Sequence, residues 1–451
     1  MDSSAAQPVP ARSFPWLITR TYTFLLAGQS VSVLGDFLFD TTLILWIAAG
    51  FARHQAWAPA AVSGVLLATA IPTIAVGLFA GVFVDRWNRR TIMLTCDAAR
   101  ATLITILIVG SGLLPGERFH LAPIIQLALI YVTVALSTAC GQFFLPARSA
   151  IIQRIVPAAD LPKASSYSQV AMPLATLIGP PIAAPLFFAL GPGWALAADA
   201  ASFLVSFVAV WLAGINGAGD VRTERRGYAA ELREGLSFLS GNRILVVVTV
   251  TAVIAMLGGG AINALDVFFV RQNLHASLSL YGLLGAGFGA GLLLGAILAP
   301  LVIERVGLLR SFWGAALAAG CVVIVYARAD SFVWGLVLGF VAALPIAVLS
   351  VAVQPIVLRV TPNQMMGRVQ AVLNPAISLA TILSIGLAGI IDSTLLHGFH
   401  AHLLGLTFGP VDTIFTAGGI LFLAGALYAS LALRGVQMPK TETSEPAGNP
   451  I

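Results

Sequence analysis

The chain has 451 residues, of which 58% are hydrophobic and only 10% charged, with a mean hydropathy of +0.94. This composition excludes a soluble globular or disordered protein and fits a polytopic helical membrane protein. The net charge of +5 would suggest nucleic acid in a soluble chain, but here lysine and arginine set topology.

Met1 to Pro15 is polar and proline-bearing, and the apolar run after Arg20 is too long and too acidic for a cleavable signal peptide. A short disordered cytoplasmic tail, residues 1–20, is expected. A helix needs roughly 20 apolar residues to cross the hydrocarbon layer. On that measure six spans fall near 21–50, 59–84, 91–114, 121–145, 167–190 and 194–214. Six more fall near 244–270, 281–303, 311–327, 331–353, 369–391 and 411–433. The expected fold is an all-α membrane protein with 12 transmembrane helices in two pseudo-symmetric six-helix halves, 21–214 and 244–434. Residues 215–243 form a cytoplasmic linker, in which Tyr228, Leu232, Leu236 and Leu239 share one face of an interfacial helix. Residues 435–451 form a cytoplasmic tail. With both termini inside, only Arg53, Arg118, Arg271 and Arg328 of the 24 lysines and arginines fall on outer loops, and only Arg100 inside a span. Cys96, Cys140 and Cys321 lie in apolar runs and are odd in number, so no disulfide framework is expected.

The second span ends in GVFVDRWNRR, Gly81 to Arg90. Gly77 and Gly81, four apart, clear one helix face for a close neighbour. Asp85 at the helix end suits a neighbouring helix N-terminus, where the dipole favours an anion. Arg154-Ile-Val-Pro157 with Lys163 recurs as Arg359-Val-Thr-Pro362 with Arg368, before the fifth and eleventh spans, which suggests two similar halves. The pattern G-x-x-x-D-R-x-x-R-R resembles the loop between the second and third helices of the major facilitator superfamily. The resemblance implies a cytoplasmic latch between the halves, with Gly81, Asp85, Arg86, Arg89 and Arg90 as its residues.

An acid at the bilayer centre costs about 3 kcal/mol even on the lenient insertion scale, so each needs a reason. Asp36 and Asp40 share a face of the first span, with Gln29 two turns earlier. Asp266 follows Asn263 by three residues in the seventh span. The first and seventh spans occupy equivalent places beside the central cavity of a two-half transporter, so these groups are expected to face one another. Desolvated carboxyl groups exchange protons nearer neutrality than exposed ones. Asp36 is therefore expected to be the main proton or substrate site, supported by Asp40 and Asp266. The alternatives are an outer helix end in water for Asp40 or Asp266, or hydrogen bonding between helices. Asp97 and Arg100 are spaced as a structural charge pair that joins the latch. Asp199 has no specific role.

In the fifth span Gly179-Pro180 bends the helix and lets another pack at the bend. This resembles the antiporter motif of superfamily exporters. Ser166, Ala175, Ala183 and Ala184 are small where that motif has glycine, so antiport and a plain kinked span both stay open. Gly285, Gly287, Gly289, Gly291 and Gly295 in the eighth span are read as packing between the halves. His397, His400 and His402 are read as a solvated outer loop rather than a metal site.

GQSVSVLGD from Gly28 to Asp36, DAAR at Asp97 and LPARSA from Leu145 to Ala150 resemble the branch of macrolide exporters, enterobactin exporters and lysophospholipid flippases. That resemblance implies a multi-pass protein of the bacterial cytoplasmic membrane exporting by alternating access and proton antiport. One arginine and no lysine in the spans leave no visible cationic pair for phosphate-like anions. Apolar walls with a few acids favour a small amphipathic cargo, neutral or cationic, with a lipid-like one close behind. A flippase without antiport is the alternative. The expected partners are the cargo, protons and the lipid bilayer, bound by a monomer with no nucleic acid. No cofactor, metal or enzymatic constellation is visible.

Overall fold

A computed structural model of the chain describes residues 18–53, 55–113, 121–157, 160–214, 228–399, 401–403 and 406–436. The expectations for both tails, Arg118 and His400 lie outside the described residues, as do those for the side chains of Gly81, Asp85, Arg86, Ser166, Tyr228, Leu232 and His402. The first six long helices are α1 (Arg20–Leu45, continued by a π turn Trp46–Phe51), α2 (Ala58–Arg86), α3 (Arg89–Gly110), α4 (Pro123–Ile155), α5 (Leu161–Leu190) and α6 (Pro192–Leu212). After the linker helix α7 (Tyr228–Gly241) come α8 (Arg243–Gln272), α9 (Tyr281–Val306), α10 (Leu308–Tyr326), α11 (Phe332–Val360), α12 (Met366–Ile390) and α13 (Pro410–Ala432). Among the described residues, eleven of the twelve long helices are long and apolar enough to cross a membrane. The twelfth, α5, has 30 residues. A short antiparallel pair, Ala401–Leu403 with Leu406–Phe408, precedes α13.

The sequence explains where helices start. Thr19 accepts the Tyr22 N–H at 3.1 Å, Asn88 the Thr91 N–H at 3.2 Å and Asn242 the Ile244 N–H at 3.0 Å, each satisfying an N-terminal donor. Several helices outrun the expected spans at the end of the bundle where α1 begins and α13 finishes, called here the terminal end. α4 reaches Ile155, α5 begins at Leu161 and α11 reaches Val360. Hydropathy marks only the hydrocarbon, whereas a helix continues into the interface, where arginine is solvated.

The two halves repeat one packing scheme. α1 packs on α5 and α6, α2 on α4, and α3 on α4 and α6. Their counterparts are α8 on α12 and α13, α9 on α11, and α10 on α11 and α13. The contacts between halves, α2 on α12 and α5 on α9, are themselves a symmetric pair. The two R-x-x-P stretches fall at equivalent ends of α4 and α11, with Val156 and Thr361 extended before their prolines.

At the distal end one apolar core runs through both halves, joining Phe39 to Ala48, Ala58 to Val65, Ala264 to Leu278 and Ile385 to Phe415. The Ala60 N–H donates to Ser393 Oγ at 3.1 Å and Arg271 to the Arg53 carbonyl at 3.2 Å, both across the halves. Toward the terminal end the core divides, with separate clusters around Met93 and Phe144 in the first half and around Phe312 and Phe422 in the second. Among the described residues the halves therefore share one core distally and keep separate cores at the terminal end.

One packing expectation is corrected in part. Gly287, Gly291 and Gly295 face Leu336, Phe340 and Leu344 of α11, inside the second half, while Gly285 and Gly282 face Pro180 of α5. Small residues announce a close neighbour without saying which helix it is. On α7, Leu239 is buried with Leu245 and Val369, but Leu236 is exposed. Gly235 lies against Arg368 and Glu234 pairs with it, so α7 docks on the start of α12.

Arg328 binds the Asp412 carboxylate at 2.9 Å, also donates to Thr416 at 3.0 Å, and lies 4.4 Å from the Phe408 ring centroid. Asp412 in addition accepts the Gly409 N–H at 2.7 Å and so caps α13. Breaking a buried pair costs about 3–5 kcal/mol. Asp412→Ala is expected to lower thermal stability in detergent by several degrees, read by unfolding fluorescence, and unchanged unfolding would show the pair to be idle.

Candidate transport cavity

A cavity of about 380 Å³ opens within the first half. Its α1 wall is Gln29, Ser32, Val33, Asp36, Phe37 and Asp40, the i, i+3, i+4, i+7 row of one helix face. Facing it are Thr69 and Thr73 of α2, Arg100 of α3, and Ser137, Gly141, Gln142 and Arg148 of α4. Asp36 and Asp40 are brought together with Gln29 as the spacing predicts. Gln29 is buried, and neither amide atom has a partner among the described residues.

Behind α1 stands α6. Gly28 and Gly35 let Ala209, Ser206 and Ser202 approach the α1 backbone, which carries Asp199 to the same level as Asp36. Asp199 is 1% exposed and accepts from Ser202 at 3.2 Å. Asp36, Asp40, Asp97 and Asp199 lie within electrostatic reach of one another or of Arg100. The sequence reading gave Asp199 no role, because its placement comes from α6 packing on two α1 glycines rather than from its own neighbours in sequence.

Asp97 and Arg100 do not form a contact ion pair. Ser206 of α6 donates to Asp97 at 2.8 Å, while Arg100 donates from Nε to the Ser137 carbonyl of α4 at 3.1 Å and lies 5.0 Å from the Phe203 ring centroid. Partners on two neighbouring helices draw the side chains apart, outweighing the weak i, i+3 attraction. Of the hairpin residues with described side chains, Arg90 donates to the Trp211 carbonyl of α6 at 3.0 Å, inside its own half. Arg89 carries a buried Nε without a partner among the described residues.

The second-half acid does not join the cavity. Asp266 accepts from the Tyr326 hydroxyl at 2.9 Å, in a cluster with Phe269 and Phe415. Asn263 is exposed and donates to the Gly259 carbonyl of its own helix at 3.3 Å. Tyr281 of α9 lies within electrostatic reach of both Asp40 and Asp266.

Gly179 and Pro180 sit where three helices meet. A side chain on Gly179 would run into Phe37 of α1, next to Asp36, and Pro180 packs on Gly282 of α9. This pair of residues therefore connects the cavity wall to the joint between halves. Arg148 is the clearest omission of the sequence reading. It was assigned to the loop after the fourth span, yet α4 runs on and aims it into the cavity holding Arg100. The cavity thus has the cationic pair the span composition did not reveal. The row Ser137, Gly141, Phe144, Arg148 carried the signal, had the helix been extended past residue 145.

A family profile described as transmembrane secretion effector matches residues 12–450. The chain is 26% identical over 274 residues to the uncharacterized MFS-type transporter YfiS of Bacillus subtilis, covering 60% of this chain and 61% of that protein. It is 24% identical over 273 residues to macrolide efflux protein A of Streptococcus pyogenes, covering 60% of this chain and 64% of the relative. The alignments thus span somewhat less than two thirds of these relatives. Among solved structures, the POT family transporter PepTSo superposes with a TM-score of 0.70 at 11% identity, over 92% of this chain and 98% of that one. With its two matching six-helix halves and a profile match along nearly its whole length, the chain belongs to the transmembrane secretion effector family of major facilitator superfamily transporters.

Proposed function

We propose that the protein exports a small amphipathic molecule from the cytoplasm by proton antiport and alternating access, with Asp36 as its main proton and cargo site and Asp40 beside it. The observation that carries this reading is the cavity in which Asp36 and Asp40 meet Arg100 beneath a closed distal end. Acids held inside a membrane protein are costly and mark ion and substrate paths. Asp36 and Asp40 on the cavity wall, with Asp97 and Asp199 on the neighbouring helices, offer carboxyl groups that can take up and release a proton. The arginine-rich terminal end faces the cytoplasm of a bacterial cell, following the positive-inside rule, so both tails are cytoplasmic. The hairpin from Gly81 to Arg90, with Asp97 and Arg100 behind it, closes the terminal end when the distal end opens, and the Gly179-Pro180 bend carries the movement. The named activity of macrolide efflux protein A supports efflux. The chain works as a monomer.

Addition of a cationic amphipath such as ethidium to everted vesicles with an imposed proton gradient is expected to release protons in proportion to its uptake. A lipid flippase without antiport is the second reading. It is favoured by an apolar groove between α3 and α4, lined by Trp87, Thr91, Cys96, Ala99, Cys140 and Phe143. Transfer of fluorescent lysophosphatidylcholine with no proton release would replace the exporter by the flippase.

Asp266 holds Tyr326 in place in this account. Asp266→Asn keeps an acceptor for that hydroxyl, and one neutral hydrogen bond is worth about 1 kcal/mol. Ethidium transport by this variant is expected to remain proton-driven, and loss of coupling would move Asp266 into the proton path.

A further inference from the structure

We infer that the cargo carries an acidic group, a carboxylate or phosphoryl, that binds Arg148, so that the cavity selects amphipathic zwitterions over simple cations. This rests on the exporter reading and names its cargo class. The two arginines of the cavity are held differently. Arg100 is committed to the Ser137 carbonyl and to the faces of Phe203 and Phe144. Arg148 has no ion pair among the described residues, and its buried Nε has no hydrogen-bond partner there. A guanidinium partly withdrawn from water without a counter-charge is unfavourable, and its planar fork of donors matches a carboxylate or phosphoryl group.

The cavity is also polarised along its length. Asp36 and Asp40 line its deeper part, and Arg148 lies nearer the terminal end of α4. Arg148 follows Gly141, the residue beside Arg100, by two helical turns, roughly 10 Å along the axis. Two acids and two arginines line the wall, so a bound zwitterion can place its ammonium at Asp36 and its acid at Arg148. A plain cation answers only the first. Gln29, Thr73 and Gln142 supply neutral hydrogen-bonding groups between them.

The test compares 8-aminooctanoic acid, whose ammonium and carboxylate stand about 10 Å apart when extended, with its methyl ester, which lacks the negative charge. Binding is measured by calorimetry on the whole protein in lipid nanodiscs. Wild type is expected to bind the acid at least tenfold more tightly than the ester, about 1.4 kcal/mol. Arg148→Gln should lose that preference while keeping the ester affinity, which also shows that the variant is folded, and Arg148→Lys should keep part of it. The same comparison with 8-aminooctylphosphonic acid and its dimethyl ester tells phosphoryl from carboxylate recognition, and a preference in either series upholds the inference. Equal binding of acid and ester by wild type in both series, binding of neither, or an undiminished preference in Arg148→Gln would overturn it. If the ester binds through Asp36, and so is lost in Asp36→Asn, while no acid preference exists, only the cargo class fails. Ester binding indifferent to Asp36→Asn would instead count against the exporter site.

Discussion

Asp36→Asn is expected to lower proton-driven accumulation of a cationic amphipath by at least about thirtyfold, about 2 kcal/mol, because the variant neither carries the coupled proton nor answers the cargo's charge inside the membrane. The asparagine keeps the shape and hydrogen-bonding edge of the side chain but neither ionises nor carries a proton. The α1 row with Gln29 and Ser32 and the packing of Gly35 on α6 do not involve the carboxylate charge, so protein level and thermal stability should stay near wild type. Asp36→Glu, which preserves the titrating group on a longer stem, should recover part of the activity. Asp40→Asn should lose less, because Asp40 is open to the cavity and water can answer part of its charge. Normal accumulation by Asp36→Asn, still abolished by a protonophore, would place the coupling site elsewhere in the acid cluster, with Asp199 the next candidate.

The second large effect is expected at the joint between the halves. An added side chain at Gly282 would overlap the Pro180 carbonyl of α5, where backbone meets backbone and no flexible side chain can give way. Overpacking of this kind costs about 1–3 kcal/mol, and the cost falls only on the state in which α5 and α9 meet. Gly282→Val should therefore shift the balance from the distally closed form to the distally open one by about five- to 150-fold. Spin labels on Arg53→Cys and Arg271→Cys, neighbours across the closed distal end, should report a new long-distance population, and transport should fall with it. Gly285→Ala is the control, since its new carbon would meet Pro180 at an ordinary 3.5 Å. An unchanged distance distribution in Gly282→Val would mean that the α5–α9 contact does not hold the distal end shut.

How much of this was legible in the sequence follows from what each residue signals on its own. Asp36 and Asp40 stood out because a charge within an apolar run is expensive wherever the run packs, and their spacing placed them on one face before any neighbour was known. The twelve-helix plan was legible because hydrocarbon thickness fixes span length, and the two R-x-x-P stretches located the repeat. Asp199 was given no role, and Arg148 was placed in a loop. Asp199 depends on two α1 glycines that bring α6 close, and Arg148 on the continuation of α4 past the hydrocarbon, where hydropathy stops counting. The Asp97–Arg100 pair failed for the same reason in reverse, since spacing along one helix could not show that Ser206 and Ser137 on neighbouring helices would claim the two side chains. In helices that are apolar all round, periodicity says little about which face meets which partner, so Gly287, Gly291 and Gly295 of α9 were assigned to the wrong neighbour while Gly285 does meet the other half.

The measurement that bears most directly on the central claim, that the Asp36 cavity is exposed alternately to the two sides of the membrane, is sided labelling of a single cysteine placed at Thr73. Thr73 lines the cavity, is exposed to it, and stands opposite Gln142 of α4. With Cys96, Cys140 and Cys321 replaced by serine, Thr73→Cys should react with a membrane-impermeant maleimide from the terminal face at rest, and from the distal face once a proton gradient and cargo are supplied. Reaction from the terminal face alone under every condition, or from neither face, would contradict alternating access through this cavity.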